Sequence, residues 1–182
     1  MSSITLTPTS HLVLGLIAGT GPATSYDLKK LVGISIGYFW TFPHSQLYAE
    51  PVRLAEAGYL TAEEEARGRR RRLYSITGKG REALSAWLRD SSASEGYEIR
   101  DLGVLKLFFG GLVDSDAVRA LAEKQMSMHR RVLGELETIE AGADGGGQLA
   151  FPLRTLQLGK QVSRVCLEFW TEVAERPDLS SA

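Results

Sequence analysis

Five arginines fall within six residues of this chain, at position 67 and at positions 69–72. Two runs of strand-forming residues, 59–61 and 72–76, lie on either side of them, and a turn is expected near Arg67-Gly68. The pattern predicts a two-stranded hairpin with a strongly basic tip. Side chains alternate between the faces of a strand, so roughly three of the arginines can reach one surface.

The charged hairpin has two interpretations. Arginines on one surface suit contacts to DNA phosphates, which supply affinity that does not depend on base sequence. Alternatively, the segment is a solvated charge run that pairs with the neighbouring Glu63, Glu64 and Glu65. The helix that precedes the hairpin, at about 45–57, has a side that suits the major groove of DNA, and this favours the phosphate contacts.

Helix signals surround the hairpin at four places. A proline in a first turn, hydroxyl N-caps such as Thr77 and a terminal glycine such as Gly58 mark the helix ends. The predicted helices run from Thr7-Pro8 to a break at 19–22, from about 23 to 32, from about 45 to 57 and from 78 to 89. Three helices, a hairpin and a further helix in this order predict a winged helix-turn-helix.

In the third predicted helix, a rotation of 100° per residue shows which residues share a side. Its apolar arc comprises Leu47, Pro51, Leu54, Ala55 and Gly58. The opposite side comprises Ser45, Gln46, Ala49, Arg53 and Glu56. That side suits a helix in the major groove, where Gln can pair with adenine and Arg with guanine, although an ordinary solvated face has the same pattern.

Pro51 lies inside this helix, where a proline removes a backbone hydrogen bond and crowds the carbonyl of Leu47. We expect a local kink or a later helix start. Either would change how Ser45 and Gln46 are presented.

Charge and composition divide the chain in two. Residues 1–90 carry 11 basic and eight acidic side chains, a balance of +3, whereas residues 91–182 carry ten and 14, a balance of −4. The small, polar residues at 90–96 predict a linker. We therefore expect a DNA-binding domain at 1–90, a linker at 91–98 and a second domain at 99–182. The basic half suits a polyanionic partner.

The second domain contains two helices with coiled-coil spacing, joined by a glycine-rich loop at 141–147. Together they predict an antiparallel hairpin that pairs with a second copy, although packing within one chain is the alternative. The polar seam residues Gln125 and His129 are expected to set register, with a sensing role for His129 as the alternative. The predicted dimer seam comprises Val118, Ala122, Gln125, His129, Val132, Leu136, Val162, Val165 and Phe169.

Aromatic and methionine residues could line an effector pocket between the domains, or could form plain core. The candidates are Trp87, Tyr97, Phe108, Phe109, Met126, Met128 and Trp170.

No catalytic constellation is found, and no metal or cofactor is expected. His11, His44 and His129 lack metal-ligand spacing, and Cys166 is expected to be a buried small hydrophobe. A single cysteine allows no intrachain disulfide, which favours the cytoplasm. Neither an apolar run of about 18 residues nor a secretory signal is recognised.

Four segments resemble the PadR family of winged-helix transcriptional regulators, and within it the Vir-like group, over residues 11–175. They are LGLI at 14–17 with YDLKK at 26–30, HSQLY at 44–48 with RL at 53–54 and EAG at 56–58, RLYSITGKGREAL at 72–84, and RDLGVLKLFF at 100–109. Thr24-Ser25 stands where the family usually has His-Gly.

The resemblance implies a homodimer that binds a palindromic operator in double-stranded DNA, acts as a repressor and is released by a small, aromatic molecule. The fold implied is mostly α (α+β), with a two-stranded wing and a C-terminal helical dimerisation domain. The expected DNA-binding residues are His44, Ser45, Gln46, Tyr48, Ala49 and Arg53 in the recognition helix 45–57, with Arg69, Arg70 and Arg71 in the wing. The alternative function is a winged-helix sensor or protein-interaction module that does not bind DNA.

Overall fold

The computed structural model describes residues 4–38, 43, 45–64, 71–90, 92, 101–143 and 150–178. The chain divides into two units, residues 1–95 and 96–182. Apart from Ser92, the predicted linker lies outside the described residues. The predicted turn of the hairpin near Arg67-Gly68 also lies outside them.

The N-terminal unit has the predicted order of three helices, two strands and a fourth helix. A 3-10 turn at Ile36–Tyr38 follows the second helix. The elements are α1 Pro8–Thr20, α2 Ser25–Gly33, α3 Gln46–Glu56, β1 Leu60–Glu64, β2 Arg72–Ile76 and α4 Gly78–Arg89. The two strands pair antiparallel, with Leu60 opposite Ile76 and Glu64 opposite Arg72. The winged helix-turn-helix predicted from the sequence is confirmed.

Threonine hydroxyls begin three of these helices. Thr7 caps α1 in a capping box with Ser10, and Thr24 caps α2 in one with Asp27. Thr77 caps α4 by accepting from the backbone N–H of Gly80. Each cap satisfies a backbone donor that the first helical turn leaves without a partner. Gly58 follows the end of α3 with φ at +78°, a left-handed conformation that glycine adopts without strain.

The core of this unit gathers the apolar sides of its four helices and of the hairpin. Ala23 pairs through its backbone with Tyr74 of β2, so the segment before α2 is attached to the hairpin. The buried members of the core are Val13, Leu14, Ile17, Ala23, Leu28, Val32, Leu47, Leu54, Leu60, Tyr74 and Leu84. On α4, Leu84 belongs to this core, whereas the apolar residues Trp87 and Leu88 are exposed.

α3 continues through Pro51 and begins at Gln46, within one residue of the predicted start. The expected late start is therefore not observed. The ring of Pro51 is fully buried among the core residues, which places the proline on the apolar side of the helix. Pro51 has no backbone N–H to donate to the carbonyl oxygen of Leu47. Burial of the proline ring offsets part of the free energy that this missing hydrogen bond costs.

The described part of the C-terminal unit contains helices and no strand. It contains α5 Leu102–Phe108, a 3-10 turn at Gly110–Leu112, α6 Ser115–Ala141 and α7 Ala150–Glu175. α6 and α7 form an antiparallel hairpin, since Arg119 donates to the carbonyl of Ala174 at one end and Lys160 pairs with Glu140 near the other. Residues 144–147 of the predicted glycine-rich loop lie outside the described residues. In the described helices, no segment is both long and apolar enough to span a membrane.

The predicted seam divides into two surfaces. On α6, four of its residues are already buried within one chain, where α6 packs on α7: Val118, Ala122, His129 and Leu136. On α7, the residues buried in this packing are different ones, namely Leu156, Gly159, Ser163 and Trp170. The predicted α7 members Val162, Val165 and Phe169 are exposed. Heptad spacing identifies an apolar stripe but does not say which helix covers it. In the single chain, α7 packs against these four residues of α6.

Candidate nucleic-acid interface

α3 presents one exposed side to solvent. Ser45, Tyr48 and Ala49 are exposed there, and Tyr48 is 48% accessible. The Ser45 side chain makes no capping hydrogen bond to the helix that it precedes. Half-buried Val52 and exposed Glu56 continue the same side at helical spacing. Most side chains on this side are short, and Tyr48 provides the aromatic hydroxyl near the start of the helix.

A concave surface adjoins this side of α3, and we call it the wing groove. It lies between the start of α2, the start of α3 and β2. Its lining comprises Thr24, Ser25, Tyr26, Tyr48, Arg71, Arg72 and Tyr74. Tyr26 is 52% accessible, and the Lys30 ammonium lies 4.9 Å from the centre of its ring. Three tyrosines and two guanidinium groups make the groove rich in hydrogen-bond donors.

The charges of the wing groove are predominantly positive. Among the described residues, neither Arg71 nor Arg72 forms an ion pair with a carboxylate, and both are exposed. Asp27 lies nearby, and its pKa is lowered chiefly by hydrogen bonds from Thr24, with smaller contributions from Lys30 and Arg71. That carboxylate therefore stays ionised where it pairs with Thr24 in the capping box of α2. The arrangement can accept an anionic group such as a phosphate.

The opposite flank of α3 faces α1, and it holds two of the residues predicted to contact DNA. Thr9 Oγ1 donates to Gln46 Oε1 at 3.0 Å. Arg53 forms a bidentate ion pair with Glu50 and also donates to Ser10. Burial raises the pKa of Glu50, but hydrogen bonds from Arg53 and Ser10 outweigh it and leave that pKa lowered. The Oε1 atom of Gln46 and the guanidinium of Arg53 are thus engaged within the protein, although the Gln46 side chain is exposed.

The wing can be described only at its base. Arg71 and Arg72 are placed, whereas Arg69 and Arg70 lie outside the described residues, as does His44 of the recognition segment. The register puts Glu64, Arg72, Ala62 and Tyr74 on one face of the hairpin. The structure adds Tyr26 and Arg72 to the candidate interface. Alternation along β2 could have assigned Arg72 to the same face as Tyr74, whereas no local signal marks Tyr26.

The candidate effector residues belong to both units and are described within each unit. Trp87 lies in the N-terminal unit, where it stacks on His11. Phe108 and Phe109 are exposed and pack edge to face, but Trp170 is fully buried in the C-terminal unit. Tyr97 lies outside the described residues. Of these residues, Phe108 and Phe109 offer the most accessible aromatic surface.

Buried polar groups occur between α5, α6 and α7. Gln125 Oε1 and His129 Nε2 are buried and have no hydrogen-bond partner among the described residues. Burial lowers the pKa of His129 and raises that of Cys166, while the Asp101 carboxylate raises both. Within the described part of the chain, no three His, Cys, Asp or Glu side chains are grouped so that they could hold a metal ion.

Comparisons with known proteins identify relatives of both units. The model of the transcriptional regulator PadR-like family matches residues 13–86, and that of the virulence activator alpha C-terminal domain matches residues 99–176. The negative transcriptional regulator PadR of Bacillus subtilis (strain 168) is 26% identical over 130 residues, which are 70% of this chain and 70% of that protein.

Solved structures share the fold over nearly the whole chain. Bacillus subtilis PadR in complex with operator DNA has a TM-score of 0.81 at 20% identity, covering 93% of this chain and 99% of that one. The same protein in complex with p-coumaric acid has a TM-score of 0.71 at 20% identity, covering 91% and 96%. The Vibrio cholerae virulence activator AphA has a TM-score of 0.69 at 27% identity, covering 92% and 96%.

Proposed function

Because the chain belongs to the PadR-like family of transcriptional regulators, we propose that it represses transcription by binding a palindromic operator as a homodimer. The matched family and the relative that shares sequence with this chain regulate transcription, so the chain is a regulator and not an enzyme. We place its site of action in the cytoplasm, where a bacterial operator is accessible.

The observation that carries the proposal is the wing groove beside the exposed side of α3. Arg71, Arg72 and the hydroxyl of Tyr26 would contact phosphates, and Tyr48 would stand at the boundary between groove and helix. Ser45 and Ala49 would approach base edges in the major groove, where small side chains allow close contact. Arg69 and Arg70 would extend the phosphate contacts along the wing. The operator complex of Bacillus subtilis PadR supports this use of the fold.

A homodimer would use the exposed apolar face of α7. Phe151 and Leu158 join the predicted residues there, because positions 151, 158, 162, 165 and 169 share one side of an ideal helix. All five side chains are large, apolar and exposed in the single chain: Phe151, Leu158, Val162, Val165 and Phe169. Contiguous apolar surface of this kind marks interaction sites. The two half-sites of the operator would then lie about one helical turn apart, or a multiple of it.

Release of the operator by a small aromatic molecule is the third part of the proposal. Its support is the p-coumaric acid complex of Bacillus subtilis PadR and the exposed aromatic pair Phe108 and Phe109. Titration of the protein–operator complex with p-coumaric acid tests it, with loss of the retarded band as the expected result. If Phe108→Ala leaves the response unchanged, the pair is not where the molecule binds.

Selection of bound DNA from a random pool, followed by gel shift at low and moderate salt, tests DNA binding. Arg71→Ala with Arg72→Ala should weaken binding to all sequences and reduce the salt slope by about two, one for each arginine that no longer meets a phosphate. Arg81→Ala is the matched control, since Arg81 is exposed on α4 and does not line the wing groove. An unchanged salt slope in the double variant would remove the wing groove from the interface.

A sensor or protein-interaction module that does not bind DNA is the competing function. The acidic pair Glu63 and Glu64 on β1 favours it, because like charge on the hairpin repels phosphates. Recovery of no enriched sequence from the pool at either salt concentration would support this function instead.

A further inference from the structure

The hydroxyl of Ser10 connects α1 to α3. Ser10 is completely buried and lies in the first turn of α1. Its Oγ donates to Glu50 Oε1 at 2.5 Å and accepts from Arg53 Nη2 at 2.9 Å. It also accepts from the backbone N–H of Thr7 at 2.8 Å. A single hydroxyl thus uses both its donor and its acceptor capacity on three partners.

Arg53 is engaged through all three of its guanidinium nitrogens. Nε and Nη2 donate to the two carboxylate oxygens of Glu50 at 3.0 and 2.6 Å. Nη1 donates to the carbonyl oxygen of Thr5 at 3.2 Å. The planar fork is therefore held in one orientation, pointing along the flank of α3 toward the segment before α1.

A second contact lies one helical turn earlier on the same flank. Thr9, the neighbour of Ser10, donates to Gln46 Oε1 at 3.0 Å. Gln46, Glu50 and Arg53 are spaced four and three residues apart, so they share one side of α3. Two adjacent residues of α1 thereby contact α3 over two turns.

We propose that Arg53 is a positioning residue that, with Ser10 and Glu50, holds the recognition helix on α1 and does not itself read DNA. We call these three residues the α1–α3 clamp. Its function rests on the proposed DNA binding, because the orientation of α3 decides where Ser45, Tyr48 and Ala49 meet the groove. A shift of about 1 Å in such a helix is large compared with the tolerance of a hydrogen bond.

Two physical arguments separate this role from direct contact with DNA. Reaching a base or phosphate would break the bidentate pair and leave the Glu50 carboxylate, whose side chain is 12% accessible, without its partner. The negative charge of Glu50 also offsets the attraction of Arg53 for a phosphate. Neither argument applies to Arg71 and Arg72, because they have no carboxylate partner among the described residues.

The test measures operator affinity, salt slope and base preference for Ser10→Ala, Glu50→Gln and Arg53→Lys, at a temperature where circular dichroism shows each variant fully folded. Each should weaken binding about tenfold, the effect of removing one charge-assisted hydrogen bond, with the salt slope and the preferred bases unchanged. Ser10→Ala combined with Arg53→Lys should weaken binding by less than the product of the two single effects, because both remove the same hydrogen bond.

Thr20→Ala is the matched control. Thr20 also lies in α1 and loses a hydroxyl hydrogen bond, but its partner is the carbonyl of Leu16 in the same helix. Its operator affinity should equal that of the wild-type protein. Glu50→Gln keeps the shape of the side chain and provides the test if Ser10→Ala does not fold.

The outcomes distinguish the clamp from the proposed function. Altered preference at one base pair in Arg53→Lys, or a salt slope reduced by one in Arg53→Ala, would make Arg53 a DNA-contacting residue and overturn the clamp. Unchanged affinity in both Ser10→Ala and Glu50→Gln would overturn it as well. If the wild-type protein retards no DNA, the proposed function fails, and the clamp fails with it.

Discussion

The indole of Trp87 stacks on the imidazole of His11, with ring centroids 4.5 Å apart and planes 8° apart. The contact joins the end of α4 to the first half of α1, and it covers His11, which is 9% accessible. Burial lowers the pKa of His11, so the ring is held in its neutral form beneath the indole.

Replacement of Trp87 should therefore destabilise the N-terminal unit. Trp87→Ala removes the stacked pair and should lower the free energy of unfolding by at least about 1 kcal/mol. Urea denaturation followed by circular dichroism measures the change. Leu88→Ala, at a neighbouring residue that is 67% accessible, should change stability by less than about 0.5 kcal/mol. Equal effects of the two substitutions would mean that the stack contributes nothing.

Two glycines in the first turn of α4 should respond differently to alanine. A Cβ at Gly80 would overlap the carbonyl oxygen of Tyr59 and lie 2.8 Å from Ile76 Cγ1, so Gly80→Ala should cost about 1–3 kcal/mol. A Cβ at Gly78 meets no described atom within 4 Å, so Gly78→Ala should be neutral or stabilising by up to about 1 kcal/mol. Thermal unfolding of the two variants checks the prediction. A Gly80→Ala variant as stable as the wild-type protein would contradict the close approach of α4 to the hairpin.

Stability should fall when the protein is acidified from neutral pH. Burial lowers the pKa of His129 below its usual 6.5, although the charge of Asp101 opposes this, so the unfolded chain takes up the proton first. The stabilisation is present above about pH 6.5 and is lost as pH falls toward the lower pKa of the folded state. His129→Gln should flatten this dependence between pH 7 and 5 without abolishing it, because the pKa of His11 is lowered too.

NMR titration of the His129 ring provides an independent measurement of that prediction. A titration midpoint below 6.5 in the folded protein is expected. A midpoint above 6.5 would show that Asp101 dominates over burial, and the sign of the pH dependence would reverse.

A charge on the exposed face of α7 should prevent dimerisation. Val165 is 63% accessible in the single chain and belongs to the apolar face, so Val165→Asp would bury a carboxylate in the dimer. Sedimentation equilibrium should show a monomer for this variant and a dimer for the wild-type protein. Gln157→Asp, on the polar side of the same helix, is the control and should remain dimeric. A dimeric Val165→Asp would place the interface elsewhere.

Local signals allowed much of the N-terminal unit to be predicted. Thr7, Thr24 and Thr77 act as caps through contacts within three residues, which is why helix ends can be found from neighbouring residues alone. Gly58 ends its helix for an equally local reason. The order of helices and hairpin followed from these ends.

The arginine-rich hairpin was likewise recognisable from residue types and alternation alone. Residue types and their spacing predicted the helix start at Thr7-Pro8, the Thr77 cap, the apolar periods and the winged-helix order, because each depends on residues close together along the chain. The packing of the helices, in contrast, was needed to show that Ser10 contacts both Glu50 and Arg53, and that α7 covers the apolar stripe of α6. Contacts between residues about 40 positions apart depend on how whole helices pack, and no local period encodes that choice.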